Sequence, residues 1–119
     1  MKFRLPWPPT VNTYYAIYRG RKIMSQKGRD YKKTAQTKLH QMLVKGQIEN
    51  LGDSNVSFHI TAFPGDKRKR DVDNILKALI DSCTGILFND DSQIAELSIK
   101  KLKKVPYGYV IVEIKPLIT

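Results

Sequence analysis

The chain has 119 residues, which fits one domain (residues 1–119) with a core of modest size. Its 21 lysines and arginines against 11 acids give a formal charge of +10, which favours a polyanionic partner, nucleic acid before an anionic membrane surface. The single cysteine excludes an intrachain disulfide, no apolar run is long enough to span a membrane, and prolines at 6, 8 and 9 interrupt any signal-peptide pattern, so a cytoplasmic protein is expected.

In chain order, Phe3 and Leu5 alternate with polar residues and predict a short edge strand that Pro6 ends. Trp7, among the prolines, is a core anchor or a stacking platform. Tyr14, Tyr15 and Tyr18 are followed by Arg19, Gly20, Arg21 and Lys22. That interleaving reads either as a nucleic-acid contact or as a hairpin turning at Arg19-Gly20 with inward tyrosines. Ser25 is a plausible N-cap for a helix over about 26–46, with Tyr31, Ala35, Leu39, Met42 and Leu43 as its apolar face. Val56, Phe58, Ile60 and Ala62 alternate as a half-buried strand, which Pro64-Gly65 closes. A second helix over about 72–84 follows from Val72, Ile75, Leu76, Leu79, Ile80 and Cys83, with Gly85 as its stop. Cys83 falls on the apolar stripe and reads as a small buried hydrophobe. Strands near Ala95, Leu97 and Ile99 and over 109–114, joined by a turn near Pro106, complete the chain. This order of elements predicts an α+β domain, a mixed β-sheet packed with two main helices.

Chemistry concentrates between residues 67 and 91. A basic run, Lys67, Arg68, Lys69 and Arg70, leads into Asp71 and Asp73, and Asp90-Asp91 follows. Each acid has an ordinary structural use. Asp71 can cap the helix, Asp73 can complement its dipole, and Asp73 with Lys77 at i+4 can be a surface ion pair. Yet only 11 of 119 residues are acidic, and Asp71, Asp73, Asp90 and Asp91 are four of them, beside cations suited to a polyanion. Carboxylates would repel phosphate unless a divalent metal lay between them. Hard Mg²⁺ or Mn²⁺ prefers such oxygen ligands and can activate a water for in-line attack on a phosphodiester. Lys77 could then hold the scissile phosphate or stabilise charge in the transition state.

Two stretches together carry a family resemblance. One is Leu5-Pro6-Trp7-Pro8-Pro9-Thr10-x-Asn12-x-Tyr14-Tyr15. The other is Arg68-x-Arg70-Asp71-x-Asp73-Asn74-x-x-Lys77-Ala78, followed by Asp81 and by Asp90-Asp91. In order and spacing, over nearly its whole length, the chain resembles the RusA-type Holliday junction resolvases of phages and prophages. The resemblance implies a homodimer that binds four-way junction DNA and nicks two opposed strands with Mg²⁺ or Mn²⁺, in DNA recombination and repair. It implies an acidic metal site at Asp71, Asp73 and Asp91, with Lys77 as the catalytic lysine. The interval from the helix to the Asp-Asp pair is slightly shorter here than in the best-known members. Asp90 therefore stays a metal-ligand candidate, because a one-residue shift exchanges it with Asp91. Lys67, Arg68, Lys69, Arg70 and Asn74 are the DNA-binding candidates beside that site.

Two other readings compete. A non-enzymatic basic nucleic-acid-binding phage protein would bind with steep salt dependence and cut nothing. A metal-dependent nuclease for other branched DNA or for RNA could use the same acids.

Overall fold

The computed structural model describes residues 1–66 and 72–117. Strand β1 (Lys2–Pro6) leads through the proline segment to a one-turn helix α1 (Val11–Tyr14) and then a hairpin, β2 (Tyr15–Tyr18) and β3 (Arg21–Met24). The long helix α2 (Gln26–Val44) follows, then β4 (Val56–Phe63). A 3-10 turn (Val72–Ile75) runs into helix α3 (Leu76–Cys83), and a second 3-10 turn (Asp91–Gln93) into β5 (Ile94–Lys101) and finally β6 (Tyr109–Pro116). The main sheet has the order β1-β6-β4-β5, while β2 and β3 form a separate two-stranded sheet. Within the main sheet only the β4–β5 pairing is parallel; β6 runs antiparallel to both β1 and β4. The mixed α+β sheet expected from the sequence is therefore present.

The alternation in β4 buries Val56, Phe58, Ile60 and Ala62, and β6 contributes Val110, Val112 and Ile114 to the same core. Helix α2 lays Tyr31, Ala35 and Leu39 on that core, and α3 adds Ala78, Leu79 and Cys83. Trp7 is half-buried and packs against this cluster, as a core anchor does. Burial pushes the Cys83 thiol up to about 12, so it stays a protonated hydrophobe. The predicted hairpin forms, with Arg19 (φ 52°) and Gly20 (φ 75°) both left-handed at its turn. That is the pattern of a type I′ turn, whose twist matches the paired strands. Its tyrosines divide: Tyr14 is buried, Tyr15 half-buried and Tyr18 exposed.

Helix α2 begins where Ser25 predicts. Its side chain accepts a hydrogen bond from the Gly28 amide, and the helix ends at Val44, two residues before the expected bound. The second predicted helix needs a larger correction. Residues Val72–Ile75 form a 3-10 turn, and the α-helix proper is only Leu76–Cys83. Val72, Asp73 and Asn74 are weak helix formers, one β-branched and two with side chains that compete for backbone hydrogen bonds. Three residues per turn also stacks Val72 over Ile75, which lets Ile75 bury fully. Gly85 adopts φ 87° just past the helix, the conformation its stop position requires.

Candidate active site

The 3-10 turn holding Asp73 packs against β5, α1 and α3, on the crossover that joins β4 to β5. Asp73 is exposed, and Asn74 beside it is half-buried. The Asp73 carboxylate has no hydrogen-bond or ion-pair partner among the described residues. The change from 3-10 to α geometry at Ile75 also breaks the i+4 register proposed for Asp73 and Lys77. Within α3, Lys77 pairs instead with Asp81, Nζ to Oδ1 at 3.1 Å, a spacing that stays inside regular α-helix. That bond is the main reason the Lys77 ammonium is held above its ordinary range. Partial desolvation works against it, and the Asp81 charge and the Tyr15 hydroxyl add to it. Lys77 is thus a fixed cation near neutral pH, suited to phosphate rather than to taking up a proton.

Asp81 is a residue that sequence reasoning quoted without giving it a role. Its second oxygen accepts a hydrogen bond from the Tyr14 hydroxyl at 3.1 Å. Burial first, and the Asp81 carboxylate second, push Tyr14 far above the usual phenol range, so it remains a donor. Tyr14 belongs to the first stretch of the resemblance, and Lys77 and Asp81 to the second. The fold joins the two stretches at this carboxylate.

Asp90 and Asp91 occupy different environments despite being adjacent. Asp90 is the N-cap of the second 3-10 turn and accepts hydrogen bonds from the Ser92 amide at 3.0 Å and the Ser92 hydroxyl. Those bonds lower its carboxyl below the ordinary aspartate value. Gln93 closes the capping box by accepting from the Asp90 and Asn89 amides, both at 2.8 Å. Its amide nitrogen donates to the carbonyls of Gly52 and Ser54, both at 2.8 Å, so a buried side chain fixes this turn to the loop before β4. The Asp-x-x-Gln spacing signals this box in the sequence. Asp91, by contrast, is exposed in the first position of the turn; its carbonyl accepts from the Ile94 amide, and its carboxylate has no hydrogen-bond or ion-pair partner among the described residues.

Among the described residues the carboxylates of Asp73 and Asp91 are unpartnered, whereas Asp90 commits Oδ2 to its cap and keeps Oδ1; these are the oxygen donors that a hard divalent cation takes. No three His, Cys, Asp or Glu side chains come together among the described residues. Asp71 and the basic residues Lys67, Arg68, Lys69 and Arg70 lie outside the described residues.

A mixed α+β domain with exposed aspartates at 73 and 91 and a lysine held by Asp81 carries groups that a phosphodiester-cutting enzyme uses. The family model described as "Endodeoxyribonuclease RusA" matches residues 6–115. The crossover junction endodeoxyribonuclease of Enterobacteria phage HK97 is 33% identical over 117 residues, covering 98% of this chain and 94% of that relative. The enzyme of the same name from Enterobacteria phage 82 is 34% identical over 100 residues, 82% of this chain and 79% of the relative. The Escherichia coli K12 enzyme is 33% identical with the same coverage. The chain belongs to the RusA endodeoxyribonuclease family.

Proposed function

We propose that this protein resolves four-way DNA junctions by paired, metal-dependent nicks in opposed strands. The observation that carries the reading is the family match over residues 6–115, which spans both the aspartate segment and the later Asp-Asp pair. The relatives' names assign them to crossover junctions, and the charge of +10 suits a DNA substrate.

Asp71, Asp73 and Asp91 would hold Mg²⁺, with Mn²⁺ as a substitute. The chemistry such an ion supplies is activation of water and stabilisation of the leaving oxygen. Lys77 binds a non-bridging oxygen of the scissile phosphate and offsets charge as the transition state forms. Lys67, Arg68, Lys69, Arg70 and Asn74 hold the backbone on either side of the cut. Asp90 acts by fixing the turn that presents Asp91. Since the four-way junction has two-fold symmetry, a C2 homodimer would set two sites against two equivalent strands. The protein works in the cytoplasm of a bacterium or of a phage-infected cell.

The test is a substitution series on a synthetic junction. Asp71→Asn, Asp73→Asn and Asp91→Asn should each abolish cleavage and leave junction binding intact. Full activity in all three would remove the assignment.

A further inference from the structure

We propose that Asp81 is a positioning residue for Lys77, and that it couples the N-terminal tyrosine segment to the cleavage step. This rests on the reading above, in which Lys77 acts on the scissile phosphate. One Asp81 oxygen takes Lys77 at 3.1 Å and the other takes the Tyr14 hydroxyl at 3.1 Å. The carboxylate is therefore oriented from one side by a buried phenol and presents its remaining oxygen to the ammonium.

The Tyr15 hydroxyl is near enough to the same ammonium to add to the rise in its range. Tyr15 is braced in turn: its ring stacks edge-on with Tyr14 at 5.1 Å between centroids, and Lys22 Nζ lies 4.2 Å from its centroid. A lysine on a four-carbon stem is thus held at its tip by a carboxylate of its own helix, which Tyr14 of α1 orients in turn. An ammonium has three donors, and the Lys77 side chain keeps 44% of its exposure while Asp81 keeps 22%. The carboxylate is the more enclosed partner, and the lysine retains a free direction toward a phosphate.

The experiment is a double-mutant cycle on the full chain, read as the single-turnover rate of four-way junction cleavage with Mg²⁺. Junction affinity and thermal midpoint are measured alongside. Asp81→Asn should slow cleavage about tenfold, the scale on which coupled neighbours act, with junction affinity unchanged. Lys77→Ala should slow it about a hundredfold, the scale of losing one charge-stabilising donor. Adding Asp81→Asn to Lys77→Ala should cost nothing more, because the carboxylate then has no lysine to hold. Asp81→Glu, which keeps the charge, should recover part of the rate, and Tyr14→Phe should cost less than Asp81→Asn.

Wild-type cleavage by Asp81→Asn would overturn the proposal, and so would losses that multiply in the double variant. A folded Asp81→Asn whose loss lies wholly in junction affinity would overturn it as well. If Lys77→Ala itself cuts at the wild-type rate, Lys77 leaves the reaction and the proposal falls with that reading.

Discussion

Asp90 and Asp91 differ in what already occupies their oxygens, and two substitutions separate their roles. Asp90→Asn keeps an N-capping side chain and should retain most of the cleavage activity, whereas Asp91→Asn should abolish it at unchanged thermal stability. The reverse pattern would move the metal ligand to Asp90. Asp90 also predicts a pH effect. Its carboxyl is lowered by the Ser92 hydrogen bonds, so its stabilising contribution is present above the ordinary aspartate range and fades as pH falls through the lowered value. The difference in thermal midpoint between wild type and Asp90→Ala should shrink below about pH 4. A difference that grew on acidification would contradict the cap. The candidate residues of this site could be picked out in the chain, because Asp-x-Asp, Lys77 and Asp-Asp are local patterns. The roles of Asp81 and Tyr14 were not, since they depend on a hydrogen bond between residues 67 positions apart.

Among the elements, the periodic ones were readable and the junctions between them were not. Ser25 and the stripe Tyr31, Ala35 and Leu39 define α2, and alternation defines β4, because one-sided burial imposes the period directly. The spacing of Val72, Ile75, Leu76 and Leu79 satisfies a 3-10 turn joined to an α-helix as well as it satisfies one helix. The hydrophobic pattern therefore missed the break at Ile75. Nor could it show that β4 lies between β5 and β6, which are consecutive in sequence. Gly28 offers a test at this scale. Replacing a helical glycine by alanine ordinarily stabilises by about 1 kcal/mol. Here the added Cβ would stand 2.5 Å from the Tyr14 carbonyl oxygen, which is backbone and has little room to move. Gly28→Ala should therefore destabilise, by about 1–3 kcal/mol as overpacking does. It should also slow cleavage, because it displaces the segment that carries Tyr14. A raised thermal midpoint would show that α1 can yield at no cost.

For the molecule as a whole, the excess positive charge and the proposed acidic site make opposing demands, which the proposed metal would reconcile. Junction binding should weaken steeply with salt, log K falling with log salt by about 0.9 per phosphate neutralised. Titrating salt at fixed Mg²⁺ checks this, and a flat response would deny a phosphate-tracking interface. Salt dependence alone does not distinguish a nuclease from a protein that only binds DNA. The most direct measurement incubates the purified chain with a synthetic four-way junction, a linear duplex and a single strand of matched sequence, each with Mg²⁺ and with chelator. Symmetric paired nicks confined to the junction, and lost on chelation, are the predicted result; tight junction binding with no cleavage in any divalent metal, or equal cutting of all three substrates, would contradict it.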